Sequence, residues 1–172
     1  MAAAGDRGPV SEPHDERRLP VLTGRAWAFA DRLSAAEILP ARYAGLDPRA
    51  AAGGLFADLA PDLASRLAPG DVLVGGRELG GGPGAAEAAR ALATAGFVAV
   101  IAASFAPGFA EAALDAGLVP LEVDAPAIFH TGQRLRLKLE AATVVNLSSG
   151  DRQPVRNLTD ALMERLRGLI GR

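Results

Sequence analysis

The chain has 172 residues, of which 49% are hydrophobic and 22% charged, values typical of a globular protein and not of a disordered or membrane one. With 18 basic and 20 acidic residues the formal charge is -2, and no long basic run is present, which argues against a nucleic-acid partner. Cys is absent, so the chain offers no disulfide, no thiolate nucleophile and no sulfur ligand for a zinc or iron–sulfur centre.

The length predicts one domain, over residues 21–172, preceded by a flexible leader over residues 1–20. The leader is rich in Gly, Pro and charge and cannot bury enough surface to order itself. It carries charges where a signal peptide needs an apolar segment, and no apolar run reaches the roughly 20 residues that span a bilayer. We therefore expect a cytoplasmic protein that does not associate with a membrane.

The first predicted element is a strand beginning at Val21, in "VLTGRAWAFA". An extended loop follows over residues 31–47, since Pro40 disfavours helical angles at Leu39, and it ends in a turn at Asp47. In "GLFADLAPDLASRL", residues 54–67, leucines recur every four positions and predict helical turns interrupted by Pro61.

Residues 71–103 read as a βαβ unit. "DVLVGG" is a short buried strand, "AAEAARALATAG" is a helix closed by Gly96, and "FVAVIAA" is a second buried strand. A right-handed crossover makes the two strands parallel neighbours.

The remaining elements alternate in type. A helix is predicted over residues 107–116, with Gly117 just past its end, followed by the strand "LVPLEV". "QRLRLKLE" alternates leucines with basic residues and predicts a strand with one wet face, which pairs with "ATVVNLSSGDRQ" as a hairpin. "TDALMERLRGLI" closes the chain as an amphipathic helix capped by Thr159.

The glycine-rich segment "GRELGGGPGAAEAAR", residues 76–90, lies between a strand and a helix, as phosphate-binding loops do. Three features argue against a nucleotide site. The next strand ends without the acidic or basic residue that would bind a ribose or its phosphate, no Tyr-x-x-x-Lys follows, and the βα pattern stops. The alternative is that the glycines only permit a close strand-to-helix passage.

Several segments together resemble the small subunit of 3-isopropylmalate dehydratase, the swivelling domain shared with aconitase. The resemblance covers about residues 23–170. It is carried by "GRAWAFADRLSAAEILPARY", "PGDVLVGGRELGGG" and "VAVIAASFAPGFAEAALDAGLVPLEV", in that order and spacing. It implies an α/β fold, a swivelling β/β/α domain with a mixed or barrel-like sheet flanked by helices.

The same resemblance implies a site, and the chain departs from the family pattern there. Where the family writes Cys-Gly-Ser-Ser-Arg-Glu, this chain has six residues that carry no hydrogen-bonding side chain: Gly81, Gly82, Pro83, Gly84, Ala85 and Ala86. The serine that would act as a base and the arginine that would bind a carboxylate are therefore missing. The family's Asp-Thr-Asp is likewise replaced, by residues 34–36, Ser-Ala-Ala. We expect little activity on isopropylmalate.

The candidate catalytic residues are those expected to line the presumed cleft: Asp31, Arg42, Tyr43, Glu78, Glu87 and Ser104. The candidate substrate-binding segment is Gly80, Gly81, Gly82, Pro83 and Gly84. Purely structural interpretations remain open: an Arg42–Asp31 pair, a solvated Glu87–Arg90 pair, and a helix cap at Ser104. His130 is expected to be a surface histidine, and no metal site is expected.

Three functions remain open at this stage. The chain is a divergent small subunit of an aconitase-type hydro-lyase, or a stand-alone or self-associating domain whose apolar cleft binds or converts a hydrophobic metabolite, for example in secondary metabolism, or a non-catalytic regulatory partner of a large subunit. No cofactor is expected on this chain. The resemblance implies a 4Fe–4S cluster only on a family-type large subunit.

Overall fold

The computed structural model describes residues 18–170, so residues 1–17 of the predicted leader lie outside the described part. Within that part a mixed sheet has the strand order β4-β3-β2-β1-β5-β6-β7. The strands are β1 Val21–Ala28, β2 Val72–Val74, β3 Ala99–Ala102, β4 Val119–Glu122, β5 Arg134–Lys138, β6 Thr143–Asn146 and β7 Arg152–Pro154. The α-helices are α1 Ala35–Ile38, α2 Pro48–Ala52, α3 Ala85–Ala95, α4 Phe109–Ala116 and α5 Asp160–Ile170.

The parallel half of the sheet confirms the predicted βαβ unit. Strands β1, β2, β3 and β4 pair in parallel, with α3 joining β2 to β3 and α4 joining β3 to β4. Both helices end at a left-handed glycine, Gly96 and Gly117, as the sequence predicts. Pro120 is tolerated in β4 because β4 is an edge strand.

The antiparallel half curls the sheet into a half-barrel. β5 pairs with β1 and β6, which confirms the predicted hairpin, and the same predicted segment also supplies β7. An antiparallel bridge between Val123 and Val155 joins the ends of β4 and β7. The amide of Arg156 adds a 2.9 Å hydrogen bond to the carbonyl of Glu122. The expected mixed, barrel-like sheet flanked by helices is thus present.

Apolar cores lie on both faces of the sheet. One contains Trp27, Phe56 and Phe109, and the other contains Phe129 and Leu166 of α5. The hydroxyl of Thr159 accepts the amide of Leu162 over 3.2 Å and caps α5, as predicted. None of the helices found in residues 18–170 is both long and apolar enough to cross a membrane.

The prediction of a loop over residues 31–47 is wrong in part, because it contains the short helix α1. Ser34 caps this helix by accepting the amide of Glu37, and the Glu37 carboxylate accepts the amide of Ser34. The helix stops where expected, since Leu39 before Pro40 is extended. Asp47 forms more than a turn: its side chain accepts the amide of Ala50 and starts α2.

The helical stripe predicted over residues 54–67 is wrong. The segment runs through successive turns, and its only helical piece is a 3-10 turn over residues 64–66. Phe56 takes a left-handed φ of 58° while its side chain is fully buried, and Leu59 is 45% exposed. Gly54 permits this path, because a Cβ there would lie 2.2 Å from the Tyr43 ring. Packing of the fully buried Phe56 and the half-buried Tyr43 outweighs the fourfold leucine period.

Candidate functional site

The loops that follow the four parallel strands line a cavity of about 650 Å³ that is open to solvent. Parallel strands present their carboxyl ends at one edge of a sheet, which is where open α/β folds bind ligands. Its walls are mainly apolar and include Phe29 after β1, Val74 in β2, and Pro126 and Phe129 after β4. Its charged or titratable lining residues are Asp31, Arg77, Asp124 and His130.

Backbone hydrogen bonds between loops fix the shape of this edge. The amide of Gly80 donates to the carbonyl of Leu33 over 2.7 Å, which joins the loop after β1 to the loop after β2. The amide of Leu79 donates to the carbonyl of Ser104 over 3.0 Å, which joins the loops after β2 and β3. The loops after β1, β2 and β3 are therefore hydrogen-bonded neighbours in the same order as the strands that they follow.

Asp31 and Arg77 form a charged pair in which both members line the cavity. The Arg77 guanidinium donates to Asp31 Oδ2 through Nε and Nη2, over 3.2 and 3.0 Å. The Arg77 amide donates to Asp31 Oδ1 over 2.8 Å. Gly76 makes room for this contact, since a Cβ at that position would lie 1.9 Å from Asp31 Oδ1. The backbone amide first, and then the guanidinium, lower the pKa of the Asp31 carboxyl below its ordinary value of 3.8.

Two matched substitutions separate these causes. Arg77→Met is expected to raise the pKa of Asp31 only part of the way toward its ordinary value, because the amide bond persists. Gly76→Ala is expected to raise it further, because its methyl group displaces the carboxylate from both donors. Titration of the Asp31 carboxyl carbon by NMR measures both shifts.

The sign of the pH effect follows from the lowered pKa. The pair contributes stability in full above the ordinary pKa of 3.8, and that contribution is lost as pH falls through the lower folded-state pKa. An Asp31 pKa that rises more in Arg77→Met than in Gly76→Ala would contradict this assignment of causes.

Arg42 and Tyr43, both predicted as cleft residues, are not among the residues that line the cavity. The Arg42–Asp31 pair is wrong: Arg42 makes a bidentate pair with Asp58, over 3.1 and 2.8 Å. Hydrogen bonds from Arg42 lower the pKa of Asp58, and the same contacts raise the pKa of Arg42. The Arg42 guanidinium also lies 4.9 Å from the Tyr43 ring centroid. Asp58 is brought to Arg42 by the turns after Gly54, which the helical prediction misplaced.

Glu78 and Ser104 meet at the rim of the site. Glu78 has a left-handed φ of 54°, unusual for a residue other than glycine. The Ser104 hydroxyl accepts the Glu78 amide over 2.8 Å and fixes this conformation. The alternative in which Ser104 caps the next helix is wrong, because Gly108 precedes α4 and Ser104 is committed to Glu78.

Glu87 lies away from this cavity, on α3. Its carboxylate is 3.7 Å from the Arg90 guanidinium, as the solvated-pair interpretation predicts. It lines a second, mainly apolar cavity of about 400 Å³, with Leu39, Leu46 and Ala91 among its other walls. The six candidate catalytic residues are therefore not brought together: only Asp31 lines the first cavity.

The glycine segment has two parts with different constraints. Gly80 is required by packing, since its φ is 88° and a Cβ would lie 2.2 Å from the Phe109 ring. The amide of Ala35, at the start of α1, donates a 2.8 Å hydrogen bond to the carbonyl of Gly81 and so joins α1 to the glycine segment. Gly82 and Gly84 have φ of 86° and 97°, and a Cβ at either would meet no atom within 4 Å. Residues 82–84 are exposed and immediately precede α3.

Sequence reasoning missed Arg77, Asp124 and Arg156. Arg77 directly follows β2 beside the glycines, and that position alone was a usable signal. Arg156 donates to Asp124 Oδ1 over 2.7 Å and also to the carbonyl of Ala103, so it ties together the loops after β3 and β4. These partners are more than thirty residues apart, and no local pattern links them. His130 is exposed, as expected for a surface histidine, and it borders the cavity.

The donor set of this chain does not fit an iron–sulfur cluster. The sequence has no Cys. Among residues 18–170 no group of three or more His, Cys, Asp or Glu side chains is arranged to hold a metal ion.

Comparison with known proteins gives a consistent result. The family model described as Aconitase C-terminal domain matches residues 59–126. The chain is 34% identical to the 3-isopropylmalate dehydratase small subunit of Nautilia profundicola, over 76% of this chain and 79% of the relative. It is 32% identical to the isopropylmalate/citramalate isomerase small subunit of Methanocaldococcus jannaschii, over 84% and 87%. A crystal structure of 3-isopropylmalate dehydratase from Methanocaldococcus jannaschii superposes with a TM-score of 0.75 at 28% identity, covering 80% of this chain and 82% of that one.

Proposed function

Because the chain belongs to the family of 3-isopropylmalate dehydratase small subunits, we propose that it serves an aconitase-type hydro-lyase whose substrate carries less negative charge than isopropylmalate. In this proposal residues 21–172 act as one domain. They dock on a large subunit that carries the 4Fe–4S cluster. The edge of the sheet that bears the cavity then covers the substrate.

The observation that carries the proposal is the chemistry of residues 82–86 at the start of α3. Gly82, Pro83, Gly84, Ala85 and Ala86 offer no side chain that donates a hydrogen bond, and the space beside Gly82 and Gly84 is open. A carboxylate brought out of water against this segment would find only the backbone amides at the start of α3, with no side-chain donor and no cation, so part of its desolvation cost of several kcal/mol would remain. A substrate with an uncharged group at this position avoids that cost.

The charges that line the cavity after the parallel strands support the same proposal, although residues 80–86 are not among its lining residues. Arg77 is paired with Asp31, and Asp124 is paired with Arg156. Each cation already has a carboxylate partner, and although these exposed pairs are individually weak, a dianionic ligand would have to compete with that partner for the cation. The apolar walls, with Phe29 and Phe129, suit the hydrocarbon part of a substrate.

The test is co-expression with the organism's own aconitase-type large subunit. We expect a stable complex whose turnover of 2- or 3-isopropylmalate is near background, and measurable hydration or dehydration of monoanionic or neutral 2-hydroxy compounds with apolar chains. A family small subunit that carries Ser-Ser-Arg-Glu at the positions of residues 83–86 is the control. Rapid turnover of either isopropylmalate by this complex would overturn the proposal. A complex with no turnover of any substrate would favour the regulatory alternative.

The apolar lining of the cavity favours a second candidate, a stand-alone domain that binds a hydrophobic metabolite. Ala28, Phe29, Ala125, Pro126 and Phe129 contribute apolar wall around a small number of charges that are largely paired. Purified chain alone would then bind apolar ligands by calorimetry, and would form no complex with the large subunit.

A further inference from the structure

The antiparallel half of the sheet presents a row of cations on one face. In β5, Arg134 and Arg136 are exposed and Lys138 is half-buried, while the intervening leucines are fully buried. The strand register extends the row, because Arg136 is opposite Val145 and Val145 is opposite Arg152. We call Arg134, Arg136, Lys138 and Arg152 the basic face.

None of these four cations has an acidic side chain within ion-pair distance among residues 18–170, whereas other arginines, such as Arg42, Arg77 and Arg165, do. Same-face neighbours on a strand are roughly 7 Å apart, so like charges here repel one another. The whole chain has a formal charge of -2, so these four cations form a locally positive patch on a slightly negative protein. Val145 within the row is only 9% exposed, consistent with long basic side chains lying flat over it.

The basic face adjoins the wall of the cavity. His130 lines the cavity, and the chain reaches Arg134 four residues later. The amide of Ala26 donates to the carbonyl of Gln133 over 2.8 Å, so this connection is held against β1. Four residues of chain span at most about 14 Å, so a protein that covers the cavity lies within that distance of the first cation of the row.

We propose that the basic face binds a carboxylate-rich surface of the large subunit and orients the chain as it docks over the cavity. This inference rests on the proposed function. Opposite charges across an interface accelerate association and fix the register of docking, and they act before close contact forms. A protein surface fits better than nucleic acid, because β5, β6 and β7 carry no aromatic side chain on which a base could stack.

The experiment reverses charge on the basic face and at a matched control. The test variant is Arg136→Glu with Lys138→Glu, and the control is Arg49→Glu with Arg90→Glu, which makes the same change in net charge on α2 and α3. Association with the large subunit is measured by surface plasmon resonance from about 50 to about 300 mM salt, a range over which screening strengthens. A second pair, Arg136→Gln with Lys138→Gln, keeps the test valid if the reversed variant fails to fold.

We expect the wild-type association rate to fall by about tenfold across this salt range. The test variant should associate about tenfold more slowly at low salt and lose most of the salt dependence, while the control stays within about twofold. Wild-type rates in the test variant would overturn the inference and leave the proposed function standing. Absence of any wild-type complex would overturn both. Salt-dependent binding of the wild type to a DNA or RNA oligonucleotide, lost in the test variant, would assign the face to nucleic acid instead.

Discussion

Four substitutions made together, Pro83→Ser, Gly84→Ser, Ala85→Arg and Ala86→Glu, are expected to raise turnover of 3-isopropylmalate in the complex by about 10²–10⁴-fold. The family resemblance gives this segment a serine base and an arginine that binds a carboxylate, and both are absent here. Residue 85 is the first residue of α3, so its side chain and the free amides of the first helical turn lie at the same place. The measurement is steady-state dehydration by the assembled complex.

The same substitutions carry a cost in stability that the backbone predicts. Gly84 has a φ of 97°, and a serine in a left-handed conformation is disfavoured by about 1–2 kcal/mol. Gly82 keeps its own left-handed φ and is left unchanged. Chemical unfolding of the variant chain measures this cost separately from activity.

A matched variant with Ala85→Lys in place of Ala85→Arg tests the role assigned to the guanidinium. Lysine keeps the charge but cannot bind a carboxylate through two parallel hydrogen bonds, so we expect most of the gain to disappear. A complex that assembles with all four original substitutions and still turns over isopropylmalate at background would show that this segment does not limit the reaction.

The elements that local signals define were predictable from the sequence. Gly96 and Gly117 end α3 and α4, and the alternation in β5 separates its buried leucines from its exposed cations. Each of these sequence signals lies in the same turn or strand whose structure it determines, and the structure agrees with each of them.

The segment between residues 31 and 67 was less predictable because long-range packing decides it. The capping pair of Ser34 and Glu37 was present as a local signal, but α1 is only four residues long. The backbone of Phe56 is left-handed, and its buried ring stacks on that of Phe29, with the two ring centroids 4.7 Å apart. A periodic pattern of leucines cannot reveal that a distant aromatic ring will override it.

The sequence predicted where a cleft lies in the fold, but not which side chains line it or pair with one another. The sequence placed a cleft after the parallel strands, and a cavity is there. One interpretation of the sequence paired Asp31 with Arg42, eleven positions away. In the structure Asp31 forms an ion pair with Arg77, and Arg42 forms one with Asp58. The loop conformations decide which of several acidic side chains each arginine contacts. Exposed ion pairs are too weak for the sequence alone to identify the partner.

The pair formed by Asp71 and Arg25 differs from those exposed pairs because Asp71 is only 3% exposed. Asp71 Oδ2 accepts the indole N–H of Trp27 over 2.7 Å and the amide of Ala68 over 2.8 Å, and Arg25 Nη2 lies 3.4 Å away. This carboxylate is the Asp of "PGDVLV", where β2 enters the sheet beside β1. It therefore holds together the two strands that lead to the cavity.

Asp71→Ala is expected to lower the free energy of unfolding by about 3–5 kcal/mol, the loss expected when one partner of a buried ion pair is removed. The buried indole N–H of Trp27 and the amide of Ala68 would lose their acceptor, and Arg25 would lose its counter-charge. For a chain of this size the melting temperature should fall by on the order of 10 °C. Circular dichroism measures the transition independently of Trp27, whose own fluorescence the substitution perturbs.

Two further variants identify the cause of that loss. Asp71→Asn keeps an oxygen acceptor for Trp27 and Ala68 while removing the charge, so we expect about 1–2 kcal/mol of destabilisation. Asp58→Ala removes an aspartate from an exposed bidentate pair with Arg42 and should hardly change the unfolding transition. Equal losses in Asp71→Ala and Asp58→Ala would contradict the claim that burial, and not charge pairing alone, makes Asp71 necessary. A loss in Asp71→Asn as large as in Asp71→Ala would instead assign the whole effect to the charge on Arg25.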